Sequence, residues 1–264
     1  MNLDEQKRAL LAEIRPWQNL WDLPSDAPAA KQAGEPPADA PASAANQPQP
    51  HPGAFSEARN LLSDRALRLG LDMAASPFSG CSERIQRIGL SGRAFERGKR
   101  ELQEQGLASI LQFGHTRYLV PTRQYYETFG FQPPTLKRQL SRDHTFALRL
   151  VHHLLKQDPQ TRWLEIEPAV GDQGATADLV RHLSDGSREV WEITLSAGNV
   201  ARNAAKYLGK GFAHLYFCCR DTQVRDATRT RVRESGLDPD FLARVRYMLF
   251  SGLVKRHKRL KGGG

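Results

Sequence analysis

Residues 177–196 read ADLVRHLSDGSREVWEITLS, two runs rich in apolar and β-branched residues on either side of Asp185 and Gly186. An Asp-Gly pair between such runs is a strong hairpin signal, because the glycine accepts the positive φ of a tight turn. The stretch therefore predicts two adjacent strands. Asp178 opens the first and Glu192 sits inside the second, each flanked by apolar neighbours. A carboxylate buried in such a strand is costly unless it is paired or binds a metal. Two of them on adjacent strands can converge on one divalent cation, which takes oxygen ligands.

Outward from this hairpin, helical and strand patterns alternate. A helix is predicted over Arg142–Lys156, with Phe146, Leu148, Leu150, Val151, Leu154 and Leu155 for burial; His144, His152 and His153 along it read as structural. Trp163 to Glu167 alternates apolar and acidic residues as a half-buried strand does, which puts Glu165 and Glu167 on one face. The loop 170–176, with Gly171 and Gly174, is a flexible turn or a place where backbone approaches a phosphate. After the hairpin come a helix from Asn199 to Leu208 with Asn203 and Lys206, a strand from His214 to Cys219, an arginine-studded helix from Asp221 to Ser235 and a last strand from Val245 to Phe250. Strands alternating with helices predict an α/β sandwich over residues 139–254. Lys255, Arg256, Lys258, Arg259 and Lys261 make 255–264 a solvated basic tail suited to phosphates.

Asp-Leu-Val at 178–180, a short turn, then Val-Trp-Glu-Ile-Thr at 190–194, a helix and a strand together resemble the core of the PD-(D/E)XK nuclease superfamily, the restriction-endonuclease-like fold. The resemblance implies that Asp178 and Glu192 hold a metal, Mg²⁺ or Mn²⁺, with Glu165 or Glu167 as further ligands. Thr194 stands where the family has a lysine that steadies the attacking water and the charge on phosphate. Threonine has no charge to offer. Some members carry that lysine on the following helix, where this chain has Lys206 and Lys210, so Asp178, Glu192 and Lys206 are the candidate catalytic set.

The region before this domain has another pattern. An apolar stripe from Phe55 ends at Gly70; Cys81 to Ile88 and Arg93 to Gln105 read as two helices around a turn at 89–92; residues 107–122 read as two strands about Gly114. Helix, helix-turn-helix and hairpin over residues 55–130 resemble a winged-helix DNA-binding domain. In that fold the second helix of the pair enters the major groove and the wing touches backbone. The resemblance makes Arg93, Arg97, Lys99 and Arg100 on the helix, and Arg117 with His115 on the wing, the candidate DNA contacts. A charged helix face is otherwise a solvated surface, and winged helices also serve as protein-binding modules. The aromatic stretch 123–138 reads as a connector locking two domains together.

The total charge is +9. Residues 1–54 carry Lys7, Arg8, Arg15 and Lys31 against Asp4, Glu5, Glu13, Asp22, Asp26, Glu35 and Asp39, a net charge of −3 that leaves +12 on the remainder. This excess favours a polyanionic partner, nucleic acid before a membrane surface. Residues 1–23 space Leu3, Leu10, Leu11, Ile14, Trp17, Leu20 and Trp21 as an amphipathic segment that can dock on a protein partner or on the chain's own body. Residues 24–54, rich in Pro, Ala and Gln, read as a disordered linker. Cys81, Cys218 and Cys219 suit neither a zinc site nor a disulfide framework, and neither a secretory signal nor an apolar run of membrane-spanning length is present. The expectation is a cytoplasmic DNA-binding protein with a nuclease-like domain, of the kind found in mobile elements and plasmids. It is a divalent-metal-dependent DNA endonuclease, or else a non-catalytic adaptor or transcription regulator, the C-terminal domain of a regulator then serving dimerisation. Limited proteolysis should cut first between Pro24 and Gly53 and leave a stable fragment starting near Phe55; a first cut within 58–130 contradicts this organisation.

Overall fold

The computed structural model describes residues 58 and 60–262, apart from 134, 135, 137 and 171–174. The amphipathic segment, the Pro/Ala-rich linker and residues 171–174 of the glycine loop lie outside the described residues. The chain is of mixed α/β architecture, with helices α1 (Asp64–Ala75), α2 (Cys81–Ile88) and α3 (Gly92–Glu104) followed by strands β1 (Ala108–Phe113) and β2 (Thr116–Pro121) and helix α4 (Arg123–Phe129). Ser63 and Ser91 cap α1 and α3 by accepting the N–H groups of Ala66 and Ala94, and Glu101 on α3 takes both the Ser63 N–H and its hydroxyl at 2.6 Å. Gly89 ends α2 at φ 65°, a conformation that favours glycine.

Two elements differ from the sequence expectation. Gly70 lies inside α1, whose helix continues to Ala75, and a Cβ there would fall 2.3 Å from Cζ of Phe129. The glycine admits a ring where it was expected to end a helix. That ring belongs to α4, within the stretch read as a connector, whose Tyr125 hydroxyl donates to the Gly70 carbonyl at 2.7 Å.

The β1–β2 hairpin has two buried faces. Its ladder pairs Leu111 with Tyr118 and Ile110 with Leu119. Side chains alternate in a strand, so Leu111, Phe113, Tyr118 and Val120 enter one core while Ala108, Ile110 and Leu119 enter another with α1, α3 and α4. The first of these cores is that of the second half of the chain. There α5 (Arg142–Lys156) precedes β3 (Thr161–Ile166), β4 (Leu179–Leu183), β5 (Arg188–Thr194), α6 (Val200–Ala205), β6 (His214–Cys219), α7 (Thr222–Arg233), α8 (Pro239–Leu242), β7 (Val245–Leu249) and α9 (Phe250–Gly262). The hairpin ring of Phe113 stacks on Phe250 at 4.2 Å, and Tyr118 meets Phe146 at 5.5 Å.

Five strands form one sheet in the order β3-β4-β5-β6-β7, antiparallel across β3-β4-β5 and parallel across β5-β6-β7. The expected turn closes β4 to β5, with Gly186 at φ 87° and Asp185 accepting the Ser187 N–H at 2.9 Å. β5 is central, buried from Glu189 to Thr194. Trp191 and Ile193 face α5 and α9, whereas Val190 faces the side covered by α6 and α7. The basic segment expected as a solvated tail is helical: Phe250, Leu253 and His257 are buried at i, i+3 and i+7, and this stripe folds the segment back onto the core as α9. Among the described residues no helix is long and apolar enough to cross a membrane.

Because the hairpin belongs to both cores, Phe113→Ala should cost about 3–5 kcal/mol and lower one common unfolding transition. Tryptophan fluorescence, which reports the sheet through Trp163 and Trp191, should coincide with far-ultraviolet circular dichroism in denaturant titrations. Separate transitions in the wild-type protein would contradict the shared core.

Candidate functional site

The ladder pairs Leu179 with Trp191. One step further, Asp178 falls opposite Glu192 where the antiparallel pair ends, and both residues are only 3% exposed. They share the sheet face covered by α6, because Val180 and Val190 on the same parity pack there. The Asp178 carboxylate is held from three sides. Its Oδ2 accepts the Ile193 N–H at 2.8 Å, its Oδ1 accepts from Arg138 Nη2 at 2.6 Å, and His144 Nε2 stands 3.2 Å from Oδ2, close enough for charge but poorly aligned for a hydrogen bond. Burial alone would push this carboxyl up. His144, the Ile193 N–H and Arg138 outweigh it and hold Asp178 below the ordinary aspartate range.

Glu167 joins through Arg138, whose Nε donates to Oε1 at 2.7 Å and whose backbone N–H donates to Oε2 at 3.0 Å. Glu167 lies just past β3, donates its own N–H to the Asp178 carbonyl at 3.0 Å, and adopts φ 52°. The left-handed conformation of a non-glycine residue costs about 1–3 kcal/mol. It also breaks the strand alternation on which a common face for Glu165 and Glu167 was expected. Glu167 turns into the cluster; Glu165 instead meets His182 at 2.7 Å, whose ring stacks on Trp163 at 3.4 Å. Glu165 is therefore not part of the site.

Glu192 has different company. Its Oε2 accepts from Asn203 Nδ2 at 3.0 Å, its Oε1 accepts the Tyr207 hydroxyl, and Lys206 Nζ stands 3.9 Å from Oε1. Asn203, Lys206 and Tyr207 are spaced i, i+3 and i+4, so the end of α6 and the turn that continues it deliver all three from one side. Burial first, and the charge of Asp178 second, push the Glu192 carboxyl up to about 7 against the pull of Lys206 and Tyr207. Thr194, at the position where the resemblance leads one to expect a lysine, is buried with its hydroxyl 3.4 Å from the Glu192 carbonyl. Lys210 is exposed beyond α6 and takes no part in the cluster.

The cluster thus assembles Asp178, Glu192, Glu167 and Lys206 from the expected residues and adds Arg138, His144, Asn203 and Tyr207. The Asn203, Lys206 and Tyr207 spacing was readable as a helix face. Arg138, in an aperiodic connector, carried no such signal. Among the described residues no group of three or more His, Cys, Asp and Glu side chains is arranged to hold a metal ion. Two carboxylates suffice for Mg²⁺, which keeps much of its water, and Arg138 already places a cation between Asp178 and Glu167.

On α3, Arg93, Arg97 and Arg100 are exposed at i, i+4 and i+7 and form one face. Lys99 departs from the expectation: it is buried and paired with Glu96, because its position shares the helix side of Phe95 and Leu102. Arg117 is exposed on β2, and both it and Lys99 act on the thiol of Cys81 at the start of α2, whose pKa burial raises. The hairpin reaches the N-terminus of α2, where Gly80 bridges Tyr118. The chain matches no protein-family model, no curated protein and no solved structure.

The raised pKa of Glu192 fixes a sign. Between the ordinary glutamate value of 4.5 and about 7 the folded chain keeps a proton that the unfolded chain has released, so this group lowers stability as pH rises through that window. Glu192→Gln removes the penalty. Its stability relative to wild type should improve from pH 4 to pH 8 by up to about 3 kcal/mol, read from denaturant titrations at both pH values. A pH-independent difference contradicts a protonated Glu192.

Proposed function

We propose that the chain is a DNA-binding protein in which α1–α4 and the β1–β2 hairpin act as a winged helix and the five-stranded half is a PD-(D/E)XK-like nuclease unit, acting on mobile-element or plasmid DNA in the cytoplasm. The observation that carries the catalytic part is the meeting of Asp178 and Glu192 across an antiparallel strand pair, with the Lys206 ammonium 3.9 Å from Glu192. A sheet whose antiparallel strands give way to parallel ones at β5 supports the same reading.

Asp178 and Glu192, with Glu167 beside them, would hold Mg²⁺ or Mn²⁺, which when bound polarises a scissile phosphate and activates water. The chain's own groups do the rest. Lys206 supplies, from the C-terminal end of α6, the positive charge that Thr194 lacks. Asn203 and Tyr207 orient the Glu192 carboxylate, and the Ile193 N–H and His144 orient that of Asp178. Arg138 is the chain's own counter-charge and has to move aside from Asp178 for a cation to enter. On the DNA-binding side, Arg93, Arg97 and Arg100 face the groove while Arg117 reaches backbone, both kinds of contact being available to arginine.

One observation favours a second reading. Arg138 pairs with Glu167 and Asp178 together, which satisfies two carboxylates without metal and suits a non-catalytic DNA-binding adaptor or regulator. Incubation of the purified protein with Mg²⁺ or Mn²⁺ and single-stranded, duplex and branched DNA separates the two. The nuclease reading expects cleavage that Asp178→Ala or Glu192→Ala abolishes while DNA binding persists, and that Lys206→Ala lowers by about 10²–10³-fold, the size of losing one electrostatic stabiliser. No cleavage of any substrate, with no Mn²⁺ binding by calorimetry, would sink the catalytic half and leave the adaptor.

A further inference from the structure

Helix α9 is unusual in its charge. It exposes Lys255, Arg256, Lys258 and Arg259 and has no acidic residue along its length. Two of these cations are committed elsewhere: Arg256 Nη2 lies 2.9 Å from Asp158 Oδ2, and Lys258 Nζ lies 2.6 Å from Glu83 Oε1 on α2. Among the described residues Lys255 and Arg259 make no ion pair, although like charges at i, i+4 repel by a few tenths of a kcal/mol.

The helix is fixed beside the candidate DNA interface. Phe250 stacks on Phe113 of the hairpin, and a Cβ at Gly114, in the hairpin turn, would fall 3.0 Å from Cβ of Ser251 in the first turn of α9. The hairpin turn therefore rests on α9. The Lys258–Glu83 pair joins α9 to α2, and the bridge from Gly80, the N-cap of α2, to Tyr118 joins α2 to the hairpin. Ser251, which the hairpin turn touches, is followed at i+4 and i+8 by Lys255 and Arg259, so the side of α9 that meets the hairpin carries both cations.

From this contiguity we infer that α9 is a second phosphate-contacting element, so that a duplex held by α3 and the hairpin also lies against Lys255 and Arg259. The inference rests on the reading of α3 and the hairpin as a DNA interface. Duplex DNA is the partner whose charge suits the surface, a stiff polyanion with about one charge per 1.7 Å of axis, against a helix of 13 residues spanning about 20 Å.

Fluorescence anisotropy with the full chain and a labelled duplex, over a salt series, tests it. The variants are Lys255→Ala with Arg259→Ala, and Arg93→Ala with Arg97→Ala and Arg100→Ala. Two lost phosphate contacts should reduce the slope of log Kobs against log salt by about 1.8, with an unchanged circular dichroism spectrum and Tm. An unchanged slope in the α9 variant, while the α3 variant binds more weakly, overturns the role of α9 and leaves the DNA-binding reading standing. Failure of the wild-type chain to bind duplex at low salt overturns both.

Discussion

The constraint on which the rest depends is the two-sided burial of the β1–β2 hairpin. A two-stranded ribbon is marginal on its own in water. Here one face is covered by α1, α3 and α4 and the other by α5 and α9. The hairpin fixes α5 through Tyr118 and Phe146, and α5 carries His144 to within 3.2 Å of Asp178. Any ligand seated on α3 and the hairpin is thus positioned relative to the acidic cluster by side-chain packing. The connector of residues 130–141 need not set that geometry.

The buried charges of the chain fall into two kinds. Asp72 sits between Arg84 and Arg87 at 2.5 and 2.7 Å, and Asp158 between Arg181 and Arg256 at 3.1 and 2.9 Å. Each of these carboxylates has a guanidinium on both oxygens, and the pairs join elements to one another: α1 to α2, and α9 to the turn after α5. Such closed networks fix geometry more than they add net stability. Glu192 is different. Its nearest partners are two neutral donors, the ammonium of Lys206 stands off at 3.9 Å, and Asp178 faces it across the ladder. A buried carboxylate left short of positive charge, beside another that is amply supplied, is an arrangement that shifts pKa values apart as catalytic sites do, and it motivates the proposed role of this cluster.

The sheet, its order of helices and the Asp185-Gly186 hairpin were legible because period-two alternation and turn chemistry are local properties. Asp178 and Glu192 stood out for a related reason, being charges where the pattern demanded apolar side chains. What escaped the sequence depended on tertiary approach. Gly70 looked like a helix end and proved to be the floor for Phe129. Glu165 and Glu167 looked equivalent until the positive φ of Glu167 turned one of them inward. Lys99 looked like its exposed arginine neighbours, though its place on the Phe95 and Leu102 side of α3 was open to a helical count. The tail of α9 was misread because its cations mask the stripe of Phe250, Leu253 and His257.

Thr194 follows from the same economy of charge. Its position is buried within the parallel register, opposite Cys219, and a lysine there would carry its ammonium into the sheet's covered face. Desolvating an ammonium without a full ion pair costs several kcal/mol. Lys206 avoids this by entering from the end of α6 with its side chain 23% exposed, its Nζ within 3.4 Å of the Thr176 carbonyl and 3.9 Å of Glu192. A helix-borne lysine keeps part of its hydration and can still advance toward Glu192, whereas a strand-borne one is fixed by the ladder. With the ammonium of Lys206 3.9 Å from Glu192, the positive charge beside that carboxyl comes from the end of a helix, and the strand position is left to a residue that can be buried without cost.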